Sequence, residues 1–295
     1  MYSKKKTIWN VITRQSDSLP GIYLCTGSYD AITRHIAIEN GTYDANNNGF
    51  DDSTTYNLSS TSDVETFLNR FNHNNYYIDN DTNTMLKLGN KITINSGSNS
   101  TTWYVAGFDL EHNQTAADNT IYDNGYGIAL IPTGSITTSA WNSSKDISGG
   151  YIQSTLHVAT IPSCMSTYLS IVSDGNHLIN RNVLLSSAIG DGSSKYTYAY
   201  TWTTSYGTAM SHGQIDGTFG KSYTKYDDGE ANYYLPLFKN NPSTGWNWTS
   251  KSFLWNTWLR NASDTYTKWA FEYENGKNVK GCQNEDGVSP LIYIR

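Results

Sequence analysis

Short runs of β-branched and aromatic residues, each bounded by Gly, Asn or Asp, recur along the sequence and constrain its fold more than any other feature. Such runs are typical of strands. We therefore predict strands in the runs Ile22–Cys25, His35–Ile38, Ile92–Ile94, Trp103–Phe108, Ile128–Ile131, Tyr196–Trp202 and Lys268–Tyr273. Asn275-Gly276, between the last run and Val279–Cys282, predicts a β-hairpin because both central positions of a type I′ turn need positive φ.

Three segments have helical patterning instead. Ser62–Glu65 is a helix start signal, and apolar residues follow at helical spacing from Val64 to Phe71. The second candidate helix is Met165–Val172, and the third is His177–Ile189. A few short helices among many strands predict a β-rich α+β fold.

Charge and hydropathy exclude several functional classes. The formal net charge is −6, only 16% of residues are charged, and the one basic cluster is Lys4–Lys6. A nucleic-acid-binding protein needs a denser basic footprint, so we expect no nucleic-acid partner. No apolar run approaches the roughly 20 residues of a membrane span, so we expect no membrane insertion. The segment Met1–Leu19 lacks the apolar centre of a signal peptide, and none is recognised.

The cysteines indicate neither a disulfide framework nor a zinc site. Cys25, Cys164 and Cys282 are odd in number, far apart and without a CxxC pair. We expect them to be buried free thiols.

The histidines show no metal-binding spacing, so we expect surface or hydrogen-bonded core residues. Asp109, Glu111 and His112 follow a predicted strand, a position at which catalytic groups occur. A solvated strand end is the interpretation we prefer for these three residues.

One segment, Asp44–Asp52, matches the first half of a calcium loop. Ca²⁺ prefers six to eight oxygen ligands, and such loops end with a bidentate Glu at position 12. That position is Thr55, which cannot chelate in this way, although Asp51 or Asp52 could compensate. The candidate metal ligands are Asp44, Asn46, Asn48 and Asp51, and calcium is the only cofactor we consider. The alternative is an Asx-rich loop without a metal.

Aromatic residues crowd the C-terminal part of the chain. Five of the nine Trp residues lie between Trp246 and Trp269. Tyr and Trp, mixed with Asn, Ser and Gly, are typical of recognition surfaces, including those that bind carbohydrate. We expect Trp255 and Trp258 to be core residues. A polar cluster at Asp79–Asn83 predicts a boundary between an N-terminal segment, 1–87, and a domain, 88–295.

An ordered series of short motifs runs through the second of these segments. They are WYVAGFD at 103–109, GIALIP at 127–132, GGYIQS at 149–154, HLI at 177–179, AMSHGQI at 209–215, LPLF at 235–238, WLR at 258–260 and GVSP at 287–290. In this order they resemble a domain family of uncharacterised function from gut Firmicutes and their bacteriophages. There it forms the C-terminal part of phage structural proteins or bacterial surface proteins. The ending is similar to that of the C-type-lectin-like superfamily, except that Ser289 stands where the family has Arg.

The resemblance implies a C-type-lectin-like C-terminal domain with a few short helices, preceded by a small α+β N-terminal segment. It implies a non-enzymatic bacteriophage virion protein, an adhesin or receptor-binding protein of a fibre, tail or capsid decoration. Its partners would be other virion proteins and a host surface glycan or protein. Residues 1–87 would dock onto the particle or mediate homo-oligomerisation.

In that superfamily the ligand face lies between the Trp-Leu-Arg motif and the final strand, which here is Asp264–Asn284. The implied ligand-binding residues are Asp264, Tyr266, Trp269, Tyr273, Asn278, Lys280, Gln283 and Asn284.

Other functions stay open. The protein could be an architectural cement of a capsid or tail with no host ligand, or a bacterial surface protein. It could also be a surface-polysaccharide depolymerase acting through Asp227, Asp228 or Glu230, since carboxylate pairs that cleave glycosides meet only in space.

Overall fold

The computed structural model of the chain describes residues 11–13, 22–24, 51–79, 81–82, 84–116, 120–189, 198–216, 235–238, 253–254, 256–262, 269–273 and 277–295. Their strands are β1 (Val11–Thr13), β2 (Ile22–Leu24), β3 (Thr55–Leu58), β4 (Ile78–Asp79), β5 (Thr84–Met85), β6 (Lys91–Ser96), β7 (Asn99–Phe108), β8 (Gln114–Thr115), β9 (Ile121–Tyr122), β10 (Ile128–Pro132), β11 (Thr137–Ala140), β12 (Arg181–Ile189), β13 (Tyr198–Ser205), β14 (Gly207–Ala209), β15 (Thr257–Ala262), β16 (Trp269–Tyr273), β17 (Lys277–Gly281), β18 (Glu285–Val288) and β19 (Pro290–Ile294). The α-helices are α1 (Thr61–Arg70), α2 (Ile161–Tyr168), α3 (Ser170–Asp174) and α4 (His212–Asp216). Short 3₁₀ turns occur at His73–Asn75, Tyr151–Gln153 and Pro236–Phe238, and a π-helical turn at Leu156–Thr160.

A six-stranded sheet with the order β14-β19-β10-β7-β6-β3 is the centre of the molecule. Its pairs are antiparallel except β3 with β6. Two neighbouring strands of this sheet, β19 and β10, are buried along their whole length. Alternation along them sends Leu130 and Ile292 into one apolar cluster, and Ile131 and Tyr293 into another. The sheet therefore separates two cores.

A second sheet, with the order β11-β18-β15-β16-β17, lies beside the first. Its edge is the β16–β17 hairpin, in which Trp269 pairs with Gly281 and Tyr273 pairs with Lys277. This pairing confirms the predicted hairpin, but three residues separate the paired Tyr273 and Lys277, whereas the predicted type I′ turn has two. The connecting residues, 274–276, lie outside the described residues. Gly287, in β18, has no room for a side chain, because an added Cβ would lie 2.6 Å from the carbonyl oxygen of Asn256.

Most of the predicted strands are present. The runs beginning at Ile22, Ile92, Trp103 and Ile128 correspond to β2, β6, β7 and β10, and those beginning at Tyr196 and Lys268 overlap β13 and β16. His35–Ile38 lies outside the described residues. The observed fold is therefore strand-rich α+β with a few short helices.

The first predicted helix is confirmed as α1. Ser60 caps it, since its Oγ accepts a hydrogen bond from the backbone N–H of Asp63 at 3.1 Å. The predicted apolar face is buried, and Phe67 and Phe71 make edge contacts with Tyr56 of β3 at centroid distances of 5.3 and 5.4 Å. Local capping and periodicity are enough to specify this helix.

The second predicted helix, 165–172, is divided into α2 and α3 by Leu169. The helical region starts earlier than predicted, with the π-helical turn followed by Ile161 and Pro162 at the start of α2. Pro is accepted in a first helical turn because its missing N–H would have no partner there.

The third predicted helix, 177–189, is wrong, because Arg181–Ile189 forms strand β12 and pairs with β13. Val183 and Leu185 enter the main core, whereas Leu184 points to the opposite face and contacts a small cluster with Ala116 and Tyr122. A strand with apolar residues on both faces has no clear period of two. Periodicity alone cannot distinguish it from a buried helix.

Residues on both sides of the predicted boundary at 87 share structure. β3 pairs with β6, and Leu58 and Phe67 belong to the same core cluster as Ile92 and Trp103. The docking or oligomerisation role of 1–87 stays a prediction.

Candidate functional site

The predicted ligand face falls on the edge hairpin of the second sheet. Asp264 and Tyr266 lie outside the described residues. Trp269, Tyr273 and Asn278 are described only as backbone positions in β16 and β17. The other three predicted residues, Lys280, Gln283 and Asn284, have described side chains.

These three residues surround the turn that joins β17 to β18. Gln283 and Asn284 are exposed, and Gln283 donates a hydrogen bond from Nε2 to the carbonyl oxygen of Ser143 at 3.2 Å. The Lys280 ammonium lies 3.1 Å from Oδ2 of the buried Asp286 carboxylate. A ligand would have to compete with Asp286 for Lys280, whereas Asn284 is exposed at the rim of the hairpin.

The Trp-Leu-Arg motif lies in β15, the strand that pairs with the hairpin. Trp258, predicted to be core, is confirmed as 1% exposed, and its Nε1 donates to the carbonyl oxygen of Ser139 at 2.6 Å. The carbonyl oxygen of Leu259 accepts from Nε1 of the buried Trp141 at 2.9 Å. Arg260 is also buried and donates from Nη1 to Thr208 Oγ1 and to the Ala209 carbonyl oxygen, both at 3.3 Å. The motif therefore packs β15 against β14 and does not form a surface.

Asp109, Glu111 and His112 are not gathered into one site. Glu111 is buried and its Oε1 lies 2.9 Å from Nη1 of Arg181. His112 Nδ1 lies 3.1 Å from Oδ1 of Asp123 at the surface. The three residues thus have three different partners, and the solvated strand end that we preferred is wrong for Asp109 and Glu111, which are enclosed.

Asp109 ties the segment after α1 to the loop before β10. Its carboxylate accepts hydrogen bonds from the Tyr77 hydroxyl and from the Gly127 backbone N–H, and it lies 2.8 Å from His73 Nδ1. Tyr76, Tyr77 and Asp109 all have positive φ, between 54° and 59°. Such conformations cost roughly 1–3 kcal/mol each and persist only where the surroundings enforce them, as these hydrogen bonds do.

The calcium prediction falls almost wholly outside the described residues. Of Asp44, Asn46, Asn48 and Asp51, only Asp51 is described, and its carboxylate accepts hydrogen bonds from Ser53, Thr54 and Asn90. Burial alone would raise the pKa of Asp51, but these hydrogen bonds outweigh it and hold the pKa well below its usual value. The described residues contain no group of three or more His, Cys, Asp or Glu side chains suited to a metal. The calcium site stays a prediction.

Two of the three cysteines are confirmed as buried free thiols. Burial raises the pKa of Cys164 to about 11 and that of Cys282 above its usual value, so both are protonated at neutral pH. Cys25 lies outside the described residues, as do Asp227, Asp228 and Glu230 of the depolymerase hypothesis.

A groove that sequence patterns did not predict lies between the helices α2 and α3 and the end of β13. Its volume is about 600 Å³. Val158 and Tyr206 line it, and so do hydroxyl-bearing side chains including Ser170 and Thr204 and the carboxylate of Asp174. The two lining segments, 152–178 and 203–207, are separated in the chain by β12 and most of β13. No local spacing could have indicated their meeting.

His157 lies in the π-helical turn at one wall of this groove. Its ring packs against Tyr151 with a centroid distance of 4.9 Å, and its buried Nδ1 has no hydrogen-bond partner among the described residues. Burial lowers the pKa of His157 to about 4, so the ring is neutral at pH 7. π-Helical turns are rare and occur frequently at functional sites.

Comparisons with protein-family models, with curated proteins and with solved structures found no match to this chain. Within the described part of the chain, the helices are all too short or too polar to cross a lipid bilayer.

Proposed function

We propose that this protein is a non-enzymatic bacteriophage virion component, an adhesin that binds a host-surface glycan or protein through a C-type-lectin-like C-terminal domain. The ordered motifs from 103–109 to 287–290 support it, because their resemblance to phage and bacterial surface domains covers most of the chain. The observation that carries the proposal is the position of the β16–β17 hairpin at a sheet edge. Among the described strands, β17 pairs with β16 alone, so the outer side of this hairpin can present side chains to a ligand.

The strand that pairs with the hairpin, β15, is held in place by buried side chains, which favours a preformed recognition surface. Trp258, Trp141 and Arg260 are buried and hydrogen-bonded to backbone carbonyl groups of neighbouring elements. Binding to a preformed surface avoids the entropic cost of ordering it at the moment of contact.

Binding to a glycan array and to Firmicutes cells tests the proposal. We expect the wild-type protein to bind, and we expect Tyr266→Ala and Trp269→Ala to reduce binding about tenfold or more, as truncation of an aromatic anchor does. Gln283→Ala and Asn284→Ala test the described rim of the same face. Glu65→Gln, on the exposed side of α1, is the control and leaves binding unchanged.

Absence of binding by the folded wild-type protein, or binding unaffected by both aromatic substitutions, would refute the adhesin proposal. A protein found within phage particles that lacks any host ligand would instead be the architectural cement. Release of reducing ends from host polysaccharide, lost in Asp228→Asn or Glu230→Gln, would establish the depolymerase.

A further inference from the structure

Exposed apolar side chains are concentrated at the groove beside α2. Among residues with described side chains, three large apolar ones are exposed: Ile121 at 73%, Val158 at 58% and Tyr206 at 49%. Two of these three, Val158 and Tyr206, line the same groove. Exposed apolar groups that gather in one concave place indicate a binding surface, whereas single scattered ones do not.

The polar lining of the groove consists mostly of hydroxyl groups. Ser166, Ser170 and Ser173 project from the helices, and Thr203, Thr204 and Ser205 come from the end of β13. Hydroxyl groups both donate and accept hydrogen bonds, so such a lining complements a ligand that carries many hydroxyl groups itself.

The charge of the described lining residues disfavours an anionic ligand. The described lining residues include the carboxylate of Asp174 and neither Lys nor Arg. His157 adds no positive charge at pH 7, because burial keeps its ring neutral. An anion entering the groove would meet one negative charge and no compensating cation.

We propose that this groove is a binding site for a neutral saccharide, distinct from the hairpin face. The apolar C–H face of a pyranose ring would pack on the Tyr206 ring and Val158. Its hydroxyl groups would bond to Asp174 and to the Ser and Thr side chains. The volume, about 600 Å³, lies in the range of roughly 300–1,000 Å³ that is usual for small-molecule sites. This inference adds a second site to the proposed function and does not depend on the hairpin.

Titration calorimetry with purified protein tests it, using neutral disaccharides of glucose, galactose and their N-acetyl derivatives, with sialyllactose as the anionic probe. We expect saturable binding of at least one neutral disaccharide and binding of sialyllactose about tenfold weaker or absent. Tyr206→Ala should weaken the neutral sugar about tenfold or more, and Asp174→Asn should also weaken it. Ile121→Ser is the control and should leave affinity unchanged, because it removes an even more exposed apolar side chain outside the groove.

The proposals for the hairpin face and for the groove can be refuted independently of each other. Tyr266→Ala and Trp269→Ala, at the two aromatic residues of the proposed ligand face, should leave disaccharide binding intact even where they abolish adhesion. No saturable binding of any neutral disaccharide, binding unchanged in Tyr206→Ala, or a preference for sialyllactose would each overturn the proposal. Concentration-dependent dimerisation lost in Val158→Ser and Tyr206→Ala would also overturn it, because the groove would then hold a second copy of the chain.

Discussion

Arg181 Nη1 lies 2.9 Å from Glu111 Oε1, and solvent reaches almost nothing of either side chain, which are 0% and 2% exposed. Asn124 donates to the other carboxylate oxygen of Glu111, and Arg181 also donates to Thr208 and lies over the ring of Tyr293 at 4.6 Å. The pair thus connects the segment after β7 with the strands β12, β14 and β19 at one buried point.

Removing one charge of this pair should destabilise the fold strongly. Glu111→Gln leaves the Arg181 guanidinium buried without a counter-charge, which typically costs about 3–5 kcal/mol in the free energy of unfolding. Urea unfolding measures it. Glu65→Gln is the matched control, since Glu65 is exposed on α1 and substitutions at such surface positions usually change stability by about 0.5 kcal/mol or less. A cost below about 1 kcal/mol for Glu111→Gln would contradict this role.

Loss of the α1 cap should have a smaller, local effect. Ser60→Ala removes the acceptor of the Asp63 N–H and should lower the free energy of unfolding by about 1 kcal/mol. Ser62→Ala, an exposed position inside the same helix, is the matched control and should be neutral or slightly stabilising because Ala has the higher helix propensity. Equal effects of the two substitutions in thermal unfolding would show that the cap contributes nothing.

A side chain at Gly287 should not be accommodated. In Gly287→Ala the new Cβ meets Ser135 Oγ and the Asn256 carbonyl oxygen, which already accepts a hydrogen bond from the Gly287 N–H at 2.7 Å. We expect a loss of about 1–3 kcal/mol, as overpacked sites show. Gly134→Ala serves for comparison, because no atom lies within 4 Å of its added Cβ. Similar melting temperatures for the two variants would disprove the close packing of β18.

His157 should make stability depend on pH between about 4 and 6.5. The pKa is 6.5 for an ordinary His and about 4 in the folded protein, because burial disfavours the charged ring. Between these values the unfolded chain binds a proton that the folded chain does not, so stability falls as the pH falls through this window. The total loss is about 3 kcal/mol, complete near pH 4.

His157→Gln should flatten this part of the profile. Chemical denaturation of both proteins at intervals from pH 7 to pH 4 gives the comparison, and only the difference between them is assigned to His157. Asp174, the carboxylate lining the same groove, is unchanged in the variant. Parallel stability–pH profiles of the two proteins would contradict this role. They would mean that unfolding does not change the number of protons bound by the His157 ring.

Local signals predicted the elements that local chemistry determines. The apolar face from Val64 to Phe71 predicted α1, although the start signal Ser62–Glu65 lies two residues after the observed cap, Ser60. Asn275-Gly276 predicted the hairpin, but the pairing of Tyr273 with Lys277 leaves three residues between the strands, one more than a type I′ turn has. The edge position of that hairpin was not predictable, because it depends on β15 pairing with β18 far along the chain.

Features that depend on packing between segments were beyond sequence patterns. β12 was missed although its partner β13 begins only nine residues after it ends, because two different apolar clusters cover Leu184 and Leu185 and remove the period of two. The burial of Asp109 and Glu111 similarly depends on Tyr77 and Arg181, from other parts of the chain. The groove is formed where 152–178 meets 203–207, and neither segment carries a motif for it.

The place of β19 between β10 and β14 has a consequence for how the chain folds during synthesis. Ile128 pairs with Ile294, and Gly207 pairs with Ile292, so the middle of the main sheet is completed by residues made long after β10. Until they leave the ribosome, β10 has an unpaired edge and both of its apolar faces are incompletely covered. Such nascent chains are prone to aggregate, and pairing over this sequence distance is intrinsically slow. The yield of folded protein should therefore respond to chaperones that hold the nascent chain until β19 arrives.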